Sequence, residues 1–95
     1  MHNHTTLFLL QSDHAQSPNK ILDLIQLYSP QDSVVVMGDA VLHLNHPQLL
    51  EIDQCYVLQT DSDLLIQAPP SNTKIIDYAQ FAQLVLQFNR CISIK

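Results

Sequence analysis

The chain has 95 residues, 46% of them hydrophobic and only 14% charged, with a formal net charge of −5. This is enough chain for one domain, residues 1–95, with a modest core, and the composition is too apolar for disorder. Its basic residues, Lys20, Lys74, Arg90 and Lys95, stand apart from one another, which excludes a phosphate-tracking nucleic-acid surface, and its single glycine, Gly38, excludes both the Walker loop and the dinucleotide fingerprint.

Thr5-Thr6-Leu7-Phe8-Leu9-Leu10 is an apolar run of strand formers and predicts a buried strand. Ser17-Pro18 then supplies an N-cap and a proline at the first helical position, and Ile21, Leu24, Ile25 and Tyr28 recur at helical spacing until Pro30 ends the helix. Val34 to Met37 is apolar on both faces, the pattern of a parallel strand covered on two sides. The stretch from Ala40 to Glu51, interrupted by Pro47, predicts one short irregular helix. Cys55-Tyr56-Val57-Leu58 is a third strand, Ser62 to Gln67 a helical turn, and Pro69-Pro70 a break.

Thr73 to Ile76 predicts a fourth strand, after which Asp77 and Gln80 have capping-box spacing. Tyr78, Phe81, Leu84, Val85 and Phe88 are the expected apolar stripe of the final helix, and Cys91 to Ile94 alternates as an added edge strand would. Strand and helix alternating over short connections predict a small α/β layer fold, with a mainly parallel sheet of four to five strands flanked by helices.

Apolar runs are a few residues long, against about 20 for a bilayer span, and no charged segment precedes a cleavable hydrophobic one. A cytoplasmic location is expected, with no membrane association. Cys55 and Cys91 lack CxxC spacing, which argues against a zinc ribbon and a disulfide framework and fits a reducing compartment.

Candidate chemistry is sparse. His43 and His46 are three apart, a spacing that brings two imidazoles to one helix face and so to a metal, but no third ligand is evident and Pro47 disturbs the helix, so a solvated loop is the expected reading. His2, His4 and His14 are expected in solvent. Cys55 opens a core strand, where a thiol behaves as a small hydrophobe, whereas Cys91 follows Arg90 near the end of the last helix; these are the two candidate sulfur carriers. Asp39 and Asp77 follow strands, where α/β folds place ligand sites and also where helices need caps. The loop from Gln11 to Ser17 offers hydroxyls but no glycine to an anion. No nucleophile has a visible base beside it, so no catalytic residue is assigned.

Taken in order, Thr6-Leu7 with Ser12, Val34 to Met37 with Asp39-Ala40-Val41, Cys55 to Leu58 with Asp61, and Ile76-Asp77-Tyr78 with Phe81 resemble the TusB/DsrH family of sulfur-relay subunits over nearly the whole chain. The family's Asp-Gly-Val has alanine at position 40 here; its Ala-Arg-Gly segment is replaced by Leu65-Ile66-Gln67-Ala68, and its C-terminal tryptophan is absent. Sulfur-oxidising DsrH proteins carry a cysteine in the first helix, and around Leu24 there is none, so the chain is closest to the TusB branch.

The resemblance implies a flavodoxin-like DsrE/F/H fold and a subunit without enzymatic activity of its own. Such a subunit works beside TusC-like and TusD-like partners in a dimer of heterotrimers that passes sulfur toward 2-thiolation of the tRNA wobble uridine. The mobile sulfur then rides on the TusD-like partner, no cofactor is implied, and no direct tRNA contact is expected of this chain; self-association without partners is a further possibility. Asp39, Val41, Asp77, Tyr78 and Phe81 are the family-motif positions, with structural or interface roles. Two alternatives stand beside this reading: a sulfur carrier in its own right, through Cys91 or Cys55, and a small metal- or anion-binding module.

Overall fold

Five parallel strands form one sheet in the order β4-β3-β2-β1-β5. The computed structural model describes residues 5–13, 15–65 and 68–95. The strands are β1 (Thr6–Leu10), β2 (Ser33–Val36), β3 (Cys55–Leu58), β4 (Thr73–Ile76) and β5 (Arg90–Ile94). The helices are α1 (Ser17–Leu27), α2 (Pro47–Leu50) and α3 (Tyr78–Leu86), with two 3₁₀ helices at Gly38–His43 and Gln59–Leu64.

Topology decides which face each helix covers. From β1 to β4 the strands are laid down in one direction across the sheet, and right-handed crossovers then put every intervening helix on the same face. The return from β4 to β5, on the far side of β1, runs the opposite way and sends α3 to the other face. The packing agrees: Ile21 and Leu24 of α1 and Leu49 of α2 share a core with Phe8, Leu10, Val34, Val36, Cys55 and Val57, while Phe81, Leu84 and Val85 of α3 pack with Leu7, Val35, Leu58 and Ile76. Alternate residues of β1, β2 and β3 thus feed two cores, while β4 adds Ile76 to the α3-face core and β5 adds Ile92 and Ile94 to the α1-face core.

The central strand β2 is buried throughout, as the apolar run at Val34-Val35-Val36 requires, β1 and β3 each have one half-buried residue, and the edge strands β4 and β5 are partly exposed. The expected stripe Ile21, Leu24, Ile25 and Tyr28 does face the sheet. Asp77 caps α3 through a complete capping box: its carboxylate accepts from the Gln80 amide at 2.7 Å, and the Gln80 side chain accepts from the Asp77 amide at 2.9 Å.

Other expectations need correction. Gln16, and not Ser17, is the N-cap of α1, because the Ser17 hydroxyl is turned back to the Asp13 carbonyl at 2.6 Å and to Ser12 Oγ at 2.8 Å. The irregular helix between β2 and β3 is two pieces, the first 3₁₀ helix and α2, since Pro47 starts a new helix whose first free amide, from Gln48, is taken by His46 Nδ1. The turn after β3 is 3₁₀ and begins earlier, at Gln59; Ile66 and Gln67 lie outside the described residues. Tyr78 is 61% exposed and leaves the α3 stripe, because α3 begins just past the carboxyl end of β4 and its first turn lies beyond the sheet.

Sheet ends are tied by side chains that periodicity does not reveal. The buried Asp32 carboxylate accepts from the Thr6 amide of β1 and from the Ser29 amide, both at 2.9 Å, joining the start of β1 to the turn before β2. Asn72 donates to the carbonyls of Leu49 and Ile52 at 3.0 and 2.7 Å, satisfying the end of α2 from the loop before β4.

Candidate functional site

The carboxyl ends of β1 to β4 carry the loops in which the sequence concentrates polar residues, and in open parallel sheets this is the end that binds ligands. After β1, Ser12 and Ser17 are buried and bond to each other, so neither hydroxyl faces outward for an anion. After β2, Gly38 adopts φ +59, a left-handed conformation that turns the chain into the first 3₁₀ helix and leaves Asp39 exposed and Ala40 and Val41 buried. The chain's glycine thus stands two positions before the alanine at 40, ahead of Asp39 and not after it.

After β3, Asp61 Oδ2 accepts from the Gly38 amide at 3.1 Å and joins the two 3₁₀ segments. Tyr78, at the start of α3, places its hydroxyl 3.4 Å from Thr60 Oγ1. Asp61, Thr60 and Tyr78 therefore lie at one end of the sheet, while Asp39 is exposed and Asp77 caps α3. Phe81 and Val41 lie on opposite faces of the sheet, one in each core.

Between the two 3₁₀ segments is a cleft of about 170 Å³, lined by Val41, Leu42, Leu44, Leu64, Leu65 and Pro70 among others. Leu42 and Leu64 are 45% and 40% exposed at its mouth. Small-molecule sites run to about 300–1,000 Å³, so this cleft matches one aliphatic side chain better than a substrate.

The histidine pair does not converge on a metal site. His46 Nδ1 is engaged as the cap of α2, His43 is half-buried at the end of the first 3₁₀ helix, and among the described residues no three His, Cys, Asp or Glu side chains are grouped as metal ligands would be. His2, His4 and His14 lie outside the described residues.

The two thiols occupy contrasting places. Cys55 is buried in the α1-face core beside Val34 in the ladder, and burial, offset in part by hydrogen bonds with Thr73 and Tyr56, pushes its pKa from 9.0 up to about 11. It is a neutral thiol at neutral pH, poorly suited to nucleophilic attack. Cys91 is exposed on β5, opposite Leu7, in the edge strand that the alternation of Cys91 to Ile94 predicts and so not at a helix end; Arg90 Nε donates to Thr6 Oγ1 at 2.7 Å. The Tyr28 phenol is raised by its own burial and then by the Asp53 carboxylate, a consequence of packing against the α1-face core.

A family model described as DsrH like protein matches residues 14–91. The chain belongs to the DsrH-like family. At the general level this DsrH-like protein is a sulfur-relay subunit. No curated protein matches the chain. Among solved structures it is similar to the ychN protein from E. coli, with TM-score 0.64 and 13% identity over 96% of this chain and 99% of that one, a likeness of fold. Among the described residues no helix of this DsrH-like protein is long and apolar enough to cross a membrane.

Proposed function

We propose that the chain is a non-catalytic subunit of a cytoplasmic sulfur-relay complex that supports 2-thiolation of the tRNA wobble uridine, assembled with TusC-like and TusD-like subunits as a dimer of heterotrimers. The observation that carries this reading is the family match over residues 14–91 in a chain whose α1 has no cysteine and whose core thiol, Cys55, is buried and protonated. Chemistry then belongs to a partner's cysteine, and this subunit supplies shape. The low charge content, the scattered cations and the capped, internally satisfied loops support assembly over catalysis and over direct tRNA contact.

Co-expression of the tagged chain with TusC-like and TusD-like subunits tests the reading, with assembly measured by native mass spectrometry and wobble thiolation by nucleoside mass spectrometry in a strain lacking the chain. A stable complex and restored thiolation are expected. A chain that restores thiolation without forming a complex contradicts the assembly role.

A second reading rests on the exposure of Cys91. A carrier must expose its thiol, and Cys91 does; persulfide on Cys91, transferable to a partner thiol, is what that reading requires.

A further inference from the structure

α3 is uncharged along its whole length and largely apolar on both long faces. Phe81, Leu84 and Val85 face the sheet, and on the opposite side Ala79, Ala82, Gln83 and Leu86 recur at i, i+3, i+4 and i+7, all of them exposed and Leu86 85% so. A helix bordering water carries its charges on the outer side, whereas one that is apolar all round is covered. Among the described residues α3 is the one helix packed on its face of the sheet, and Leu9, Met37 and Tyr56 beside it stay partly exposed, although parallel sheets are covered on both faces. Charge is segregated as well: all nine acidic residues lie at Asp77 or before it, and from Tyr78 to Lys95 the only charges are those of Arg90 and Lys95.

We infer that the outer face of α3 pairs with the same face of a second copy of this chain, the two helices antiparallel about a two-fold axis that passes between Ala82 and Gln83. The stripe complements its own reverse: Leu86 of each copy meets Ala79 of the other, large against small, and Ala82 meets Gln83. That match assigns the face to a second copy and not to an unlike protein. Antiparallel packing also sets Asp77, at the start of α3, toward the end where the other copy carries Gln87 and Arg90, whereas parallel packing sets Asp77 against Asp77. No carboxylate lies within the stripe, so the net charge of −5 per chain does not stand across the contact. One nine-residue helix from each copy buries less than the roughly 1,200 Å² of a stable complex, so the dimer is a weak one. The inference does not rest on the sulfur-relay reading, and its failure leaves that reading intact.

The test is sedimentation equilibrium of the full-length chain from about 5 μM to about 1 mM, a range that brackets weak association. The average mass is expected to rise from 10.8 kDa toward twice that value. Leu86→Lys and, separately, Ala82→Lys are expected to lower the association constant by about tenfold or more, as loss of a buried leucine or burial of an ammonium implies. Both positions are exposed and lysine is a good helix former, so each variant keeps its fold, which amide spectra verify. Leu22→Lys, half-exposed on α1, is expected to leave association unchanged.

The antiparallel arrangement has its own readout. Ala79→Cys and Leu86→Cys, each combined with Cys91→Ser, are mixed with one of them ¹⁵N-labelled and oxidised with diamide. Disulfides joining position 79 of one copy to position 86 of the other are expected to exceed those joining either position to itself. A mass that stays at 10.8 kDa throughout, association that neither lysine substitution weakens, or disulfides that join each position only to itself would each overturn the inference.

Discussion

Asp61 and Gly38, 23 positions apart in the chain, are joined by a hydrogen bond of 3.1 Å from the Gly38 amide to Asp61 Oδ2. It fixes the spacing of the loops that follow β2 and β3, and so the width of the cleft between them. Asp61→Ala is expected to lower stability by about 0.5–1.5 kcal/mol, the net worth of a half-exposed bond, and to broaden the amide signals of residues 38–43. Chemical denaturation and amide spectra read the two effects.

Gly38→Ala isolates the backbone term, because a Cβ at this position meets nothing within 4 Å. With φ at +59, an alanine is strained by about 1–2 kcal/mol, and the denaturation midpoint should fall accordingly with no change in slope. An unchanged midpoint would show that the turn has relaxed to another conformation.

Asp32→Ala removes both acceptors at the start of the sheet and leaves the Thr6 amide buried without its partner. A loss of about 1.5–3 kcal/mol is expected, about two to three times the cost at Asp61, because this carboxylate is buried. Urea unfolding measures it. A loss below about 0.5 kcal/mol contradicts the role given to Asp32.

The Cys55 thiol has its pKa pushed up to about 11 from 9.0, so below pH 9 it is neutral in both folded and unfolded chains and favours neither. As pH rises from 9 to 11 the unfolded thiol ionises first, and the stability associated with the buried neutral form is lost across that window. Cys55→Ala should remove that part of the alkaline instability. At pH 8 iodoacetamide should label Cys91 and leave Cys55 unmodified until the chain unfolds.

Much of this architecture is legible in the sequence because it rests on local pattern. Val34-Val35-Val36 has no polar face and must be covered on both sides; Ile21, Leu24 and Tyr28 share one helix face; Asp77 and Gln80 can cap each other with no outside help. What escapes is decided at a distance. Ser17 reads as a cap but finds Ser12 and the Asp13 carbonyl instead, and Tyr78 fits the α3 stripe by spacing yet projects past the end of the sheet.

Asp32 and Asp61 carry no periodic signal, since each bonds to backbone amides brought near only by strand pairing. The Pro30-Gln31-Asp32-Ser33 turn sequence was the one available hint for Asp32. The candidate site is less legible than the fold for the same reason. Leu42 and Leu64 look like ordinary helix residues until the two 3₁₀ segments are set side by side.

The central claim, that this subunit carries no sulfur itself, is tested most directly by a cysteine-free chain. Cells lacking the chain would receive Cys55→Ala/Cys91→Ser, and wobble 2-thiouridine would be measured by nucleoside mass spectrometry, with recovery of the folded complex verified in the same extract. Thiolation equal to wild type is predicted. Loss of thiolation from an intact complex, together with the mass of one added sulfur atom on Cys91 or Cys55 of the wild-type chain, contradicts the account and makes this subunit a carrier.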